Sequence, residues 1–111
     1  LILRKSATDK DAANHWDLPG GGLNLGEPPF EAARREAKEE AGIKIDITKI
    51  LTVWAMPYRD KWSIEFLVEG KYLKGDVKLS SEHSEYRWVN KQELKAVKYK
   101  GLFVQKLANL V

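Results

Sequence analysis

At 111 residues the chain is long enough for one compact domain and too short for two. A hydrophobic share of 43% supports an ordinary buried core, and the absence of cysteine excludes disulfides and thiolate metal sites. The formal charge of +3 is spread through mixed runs such as "RREAKEE" and "NKQELKAVKYK", so no basic stripe for a nucleic acid stands out.

No apolar run approaches membrane-spanning length and no signal peptide is visible, so a cytoplasmic location without a membrane partner is the expectation. The chain opens with "LILRK", in mid-pattern and without Met, which points to an edge strand of the sheet lying upstream. Leu1 to Arg4 reads as the end of a strand, and "KSATDKDAANH" as a polar loop. "HWDLP" reads as a short extended piece, because a residue before proline is pushed toward β geometry. The run Gly20-Gly21-Gly22 has no Cβ atoms to obstruct a close approach. A helix is expected to start at Pro28 or Pro29, since proline is tolerated at the first helical position. Phe30, Ala33, Ala37 and Ala41 form its apolar stripe, and Gly42 is its natural stop.

Beyond Gly42, "IKIDITKILTVWAM" is β-branched and reads as one or two strands. "KWSIEFLVEGKYL" reads as another, turning at Gly70 or Gly75. "EYRWV" is a short strand, "NKQELKAV" a brief helix, and "GLFVQKLANLV" an amphipathic helix with Leu102, Phe103, Leu107 and Leu110 inward. With no repeat and no linker, residues 1–111 read as a single α/β domain, a mixed sheet covered by helices.

The helix behind the glycines carries Glu36, Glu39 and Glu40. At an advance of about 100° per residue they fall within about 100° of one another, beside the apolar stripe. Like charges repel at such spacing. Either this face is solvated, or something positive sits against it.

Gly21, five residues, Glu27, seven residues, Arg35-Glu36-Ala37, then Glu39-Glu40 and Gly42-Ile43 resemble the Nudix box at every defining position. "WDLPGGG" before it and "EYRWVNKQEL" after it are similar to usual Nudix surroundings. The resemblance implies a Nudix fold, an α/β/α sandwich of a mixed sheet between helices, here lacking an N-terminal strand. It also implies a hydrolase that splits a phosphoanhydride bond in a nucleoside diphosphate linked to another moiety, with Mg²⁺ or Mn²⁺ as cofactor. Magnesium prefers carboxylates, water and substrate phosphates over a complete protein cage, which suits glutamates at i, i+3 and i+4. The metal ligands so implied are Glu36, Glu39 and Glu40, with the carbonyl of Gly21. Arg35 orients a box glutamate, and Glu27 supports the junction of loop and helix.

Family members draw the general base either from a box glutamate such as Glu40 or from a downstream loop, where this chain offers Glu82 and Glu85. Glu82 is preferred as base or as additional ligand, because it sits in the polar loop rather than at the strand start. Arg4 is a candidate phosphate contact, against the simpler reading of surface charge. Trp54 and Tyr58, with Met56 and Trp62, line a base pocket on one reading and the core on the other. His15 and His83 lack partners at ligand spacing and are expected in surface or hydrogen-bonding roles. Candidate substrates are ordinary or oxidised nucleoside triphosphates, ADP-ribose and nucleotide sugars; Pro57-Tyr58 lies where some subgroups carry a substrate mark, at a spacing that does not choose between them. The alternatives are a nucleotide sensor that binds without cleaving, and an enzyme of RNA 5′ ends, disfavoured by the scattered basic charge. Homodimers are common in the family.

Overall fold

Alternate side chains of a strand leave on opposite faces, and the four residues of β1 (Ile2–Lys5) use this to hold two helical layers together. Ile2 packs with Trp16, Leu94, Val97 and Val104 on one face. Leu3, fully buried, packs with Ala37, Ala41 and Ile43 on the other. In the computed structural model, which describes residues 1–111, β1 is followed by β2 (Trp16–Asp17), α1 (Pro29–Ala41), β3 (Lys44–Tyr58) and β4 (Lys61–Lys74). Strand β5 (His83–Arg87), α2 (Lys91–Ala96) and α3 (Leu102–Leu110) complete the chain. The α/β sandwich expected from sequence is therefore present, with α1 on one side of β1 and α2 and α3 on the other.

The strands form two sheets, β2-β1-β5 and β3-β4, and every ladder is antiparallel. The parallel element of the expected mixed sheet is an isolated bridge between Trp16 and Lys100. Residues 44–58 make one long strand rather than two, its irregularities absorbed at three register shifts against β4. Gly70 does not turn the chain; it lies within β4 opposite Ile47, and the strand runs on to Lys74. Strand β5 starts at His83, two residues before the expected "EYRWV", because Lys5 pairs with His83 and the Ser6 N–H donates to the Glu82 carbonyl at 2.9 Å.

Helix α1 follows Pro28 and opens on Pro29. It ends at Gly42, whose φ of 70° is the left-handed conformation that glycine accepts and whose N–H donates to the Lys38 carbonyl. Its buried face is Ala32, Ala37, Glu40 and Ala41, turned from the expected stripe, with Phe30 37% exposed and Ala33 only half-buried. Ala37 and Ala41 fit beneath Leu3, and Glu40 is drawn inward by a backbone donor described below. In α3 Val104 is the buried residue, with Leu107 packed on the same core and Phe103 on Trp54 as expected, while Leu102 and Leu110 face out, contrary to the expected inward set. The phase is set by buried Asp17, whose Oδ1 accepts the Val104 N–H at 3.2 Å and the Leu18 N–H at 3.0 Å. A carboxylate at a helix start satisfies otherwise unpaired donors.

Replacing Asp17 with Ala orphans the buried Val104 N–H and is expected to cost about 1–3 kcal/mol in urea unfolding. Burial raises the Asp17 carboxyl above its ordinary 3.8, outweighing the Leu18 and Val104 N–H groups that lower it. The native chain thus holds this proton more tightly than the unfolded chain, and the resulting stability, complete below 3.8, is lost as pH rises through the raised value. The deficit of Asp17→Ala relative to the parent is expected to be larger at pH 4 than at pH 7.

Candidate active site

Arg35 is the hub of the loop–helix junction. Its Nε and Nη2 grip both oxygens of Glu27 at 2.8 and 2.9 Å, and Nη2 also donates to the Gly22 carbonyl at 2.9 Å. Its Nη1 donates to Glu36 Oε1 at 2.9 Å and, one turn on, to Glu39 Oε2 at 3.0 Å. Glu27 closes the loop on itself: its Oε1 accepts the Asn24 N–H at 3.0 Å and its own N–H donates to the Asn24 carbonyl. Contact with Arg35, and secondarily with the Asn24 N–H, holds the Glu27 carboxyl below its usual range, and Glu27 in turn holds the guanidinium charged. A planar fork can serve several acceptors in this way, and a lysine cannot.

Glu40 is treated differently. It is only 5% exposed, and its Oε1 accepts the Gly20 N–H at 2.6 Å. Burial pushes its pKa up to about 7, against the Gly20 N–H; neighbouring Glu36 and Glu82 push the same way, and Lys5 pulls it down. The segment after β4 is laced to the end of α1, with Lys78 N–H donating to the Ala41 carbonyl and Ser80 N–H to that of Glu40. This lacing brings Glu82 and His83 over the helix. Glu40, Glu82 and His83 each offer a ligand atom, and these atoms lie within 4.8 Å of one another.

The residues fit a divalent cation by their chemistry and by their packing. Glu36 Oε2, Glu39 Oε1 and Glu40 Oε2 take no hydrogen bond, so each box glutamate keeps an oxygen available. A Cβ on Gly21 would come to 2.6 Å from Glu36 Oε1, so a larger residue there would push the Glu36 carboxylate from its place beside the loop. Glu36 and Glu39 share the Arg35 Nη1, while Glu40 gathers with Glu82 and His83, so the box glutamates divide into two sets.

Of the two loop carboxylates, Glu82 is exposed at the end of the loop, whereas Glu85 lies within β5 and is paired with Arg4 at 3.1 Å. Arg4 leaves β1 on the Ile2 face. It donates to Glu85 and the Asn14 carbonyl and lines a cavity of about 390 Å³ with Trp16, Arg87 and Tyr99, on the face away from Leu3 and α1. The basic residue whose charge acts on Glu40 and His83 is its neighbour Lys5. Trp54 packs on Phe103 of α3, with Lys106 Nζ 4.7 Å above its ring, which is a packing role. Tyr58, 55% exposed at the tip of the β3–β4 hairpin, lies under Arg59.

His15 behaves as expected, its Nδ1 bonding to the Ala13 carbonyl at 2.9 Å. His83 does not: its side chain is 1% exposed and its Nδ1 has no hydrogen-bond partner. Lys5, which the sequence does not single out, and His83, expected at the surface or in a hydrogen bond, both lie beside Glu40. For Lys5 the signal was alternation in "LILRK", which sends it to the face opposite Arg4; for His83 it was only adjacency to Glu82.

A family model for the NUDIX domain matches residues 1–107. An uncharacterised Nudix hydrolase of Listeria monocytogenes is 31% identical over 107 residues, covering 94% of this chain and 63% of that protein. The asymmetrical bis(5′-nucleosyl)-tetraphosphatase of Mus musculus is 33% identical over 99 residues, covering 84% of this chain and 65% of the mouse protein. Among solved structures, the MutT protein from Methanosarcina mazei Go1 superposes with a TM-score of 0.83 at 32% identity, covering 97% of this chain and 78% of that one. The chain belongs to the Nudix hydrolase family. It spans less than two thirds of the length of the Listeria and mouse proteins.

Two substitutions test the geometry. Gly21→Ala displaces the Glu36 carboxylate and is expected to weaken Mg²⁺ or Mn²⁺ binding at least tenfold by calorimetry, with the thermal midpoint nearly unchanged. Arg35→Lys loses the fork that orients Glu27, Glu36 and Glu39, and is expected to cost about 10–100-fold in metal affinity, the usual effect of removing a partner that orients ligands.

Proposed function

We propose that the protein is a Nudix pyrophosphohydrolase that uses Mg²⁺ or Mn²⁺ to hydrolyse a phosphoanhydride bond in a nucleoside diphosphate linked to another group. The observation that carries this reading is the set of three box glutamates, each oriented through one oxygen by Arg35 or the Gly20 N–H and left with the other free. A protein that only bound a nucleotide would have less need of all three carboxylates held in this way. Glu36, Glu39 and Glu40, with the Gly21 carbonyl, would hold the cation. When bound, it neutralises phosphate oxygens, polarises phosphorus and acidifies a coordinated water.

The chain's own residues supply the rest. Glu82 sits exposed at the rim beside Glu40, free of the ion pair that engages Glu85, and is the general base of this reading. Its carboxylate accepts a proton from the attacking water as the new P–O bond forms. The bond from phosphorus to the bridging oxygen then breaks, and the leaving phosphate takes that electron pair. Lys5 provides a positive charge for the substrate's phosphates, the role that the sequence reading gave to Arg4. The substrate class includes dinucleoside polyphosphates, by likeness to the mouse tetraphosphatase, beside nucleoside triphosphates, ADP-ribose and nucleotide sugars. A homodimer is part of the proposal, since Trp62, Ile64 and Phe66 leave an apolar face on the β3–β4 hairpin 72%, 60% and 38% exposed.

A panel of these nucleotides with Mg²⁺ or Mn²⁺, products read by mass spectrometry, is expected to show metal-dependent release of a nucleoside phosphate. Turnover no higher than that of a Glu40→Gln control across the panel would end the enzymatic reading. Loss of a general base usually costs about 10²–10⁴-fold, so Glu82→Gln is expected to lower kcat by that order. Full turnover in that variant would move the base to Glu40.

A further inference from the structure

His83 is the least explained polar side chain in the molecule. Its side chain is 1% exposed, its Nδ1 lacks any partner, and that atom stands 3.7 Å from Glu40 Oε2. At that distance the pair is not hydrogen-bonded. An unpaired buried polar group usually costs about 1–3 kcal/mol, so a native chain that keeps one calls for a missing partner. The neighbours of Nδ1 define what that partner is. Glu40 presents Oε2, its only oxygen not already bonded to Gly20, and exposed Glu82 lies on the solvent side. The three candidate ligand atoms fit within 4.8 Å. Ligands of one octahedral ion with bonds of about 2.1 Å lie about 3 Å apart when adjacent and about 4.2 Å when opposite, so a small closing movement seats an ion. The nearby charges are acidic Glu40, Glu82, Glu36 and Asp9 against basic Lys5, an excess of negative charge.

We propose that His83 is a nitrogen ligand of a divalent cation, completing with Glu40 and one oxygen of Glu82 a subsite beside Glu36 and Glu39, the other Glu82 oxygen staying free as the base. This inference rests on the metal-dependent reading above, and goes beyond it by giving the two groups different chemistry. An all-oxygen group suits Mg²⁺, whereas an imidazole nitrogen shifts preference toward Mn²⁺, Co²⁺, Ni²⁺ and Zn²⁺. The backbone supports the assignment. His83 is held at the first residue of β5 by pairing with Lys5, and its N–H donates to the Ser80 carbonyl at 3.3 Å, so the ring is anchored on the ladder rather than on a free loop.

Electron spin-echo spectroscopy of Mn²⁺ added to the whole chain reads the bond directly. Nitrogen modulation from a directly bonded ¹⁴N is expected in the parent and in His15→Gln, and absent in His83→Leu, which fills the buried site without offering a ligand. Should His83→Leu fail to fold, parent chain labelled with [¹⁵N]histidine answers alone: its modulation must change to the ¹⁵N pattern. Calorimetry is expected to show Co²⁺ and Ni²⁺ affinity at least tenfold lower in His83→Leu, with Mg²⁺ affinity altered less than threefold. Bound Mn²⁺ with no nitrogen modulation overturns the role of His83 and leaves the box reading standing. No Mn²⁺ binding at all overturns both.

Discussion

One guanidinium determines whether the glycine loop and the glutamate helix act as a unit. Arg35 meets Glu27 from the loop, Glu36 and Glu39 from its own helix, and the Gly22 carbonyl, all between 2.8 and 3.0 Å. Each contact taken alone is a partly exposed ion pair, worth little in water. Their value comes from the shared donor. Moving any acceptor strains the geometry of the others, so the loop cannot shift without rotating two glutamates. Glu27 matters here because its bidentate grip fixes the plane of the guanidinium.

The second constraint is the alternation of β1. Leu3 and Lys5 face α1 and the carboxylates, while Ile2 and Arg4 face α2, α3 and Trp16. The strand that builds both halves of the core therefore also sorts its two basic residues. Arg4 goes to a cation-rich cavity beside Arg87, and Lys5 goes to the acidic site. The bulge in β5 opposite Arg4 and Lys5 brings His83 rather than Ser84 level with Lys5. The position of His83 thus depends on one irregular ladder step.

Much of this was legible in the sequence, for identifiable reasons. The span of α1 followed from proline at its start and glycine at its end, both of which act locally through the backbone. Glu27, Arg35 and the box glutamates were legible because their spacing relates neighbours on one loop and one helix. What failed were phases and long-range pairings. Ala32 replaced Ala33 and Val104 replaced Leu102 and Leu110 because a distant donor or acceptor, Gly20 for Glu40 and Asp17 for Val104, rotated each helix. The fate of Arg4 depended on its pairing with Glu85, 81 residues away, and the start of β5 on the similarly distant pairing of Lys5 with His83, which no periodicity records.

The electrostatics then connect the fold to its chemistry. Five carboxylates, Glu27, Glu36, Glu39, Glu40 and Glu82, surround one guanidinium and one ammonium. At an effective dielectric near 20, two like charges about 4 Å apart repel by about 4 kcal/mol, a cost that several such neighbours multiply. The chain relieves part of it by engaging Glu27 fully with Arg35 and by letting Glu40 rise to about 7, where it is partly protonated near neutrality. On the proposed metal-dependent reading, a protonated Glu40 would lose the charge that makes it a good ligand, and proton and cation would compete for the same Oε2. The Gly20 N–H bond to Oε1 weights that competition toward the cation, because it stabilises the ionised form while leaving Oε2 open. Burial alone favours a neutral Glu40; burial joined to one backbone donor keeps the ionised form within reach, as the proposed metal-binding role would require.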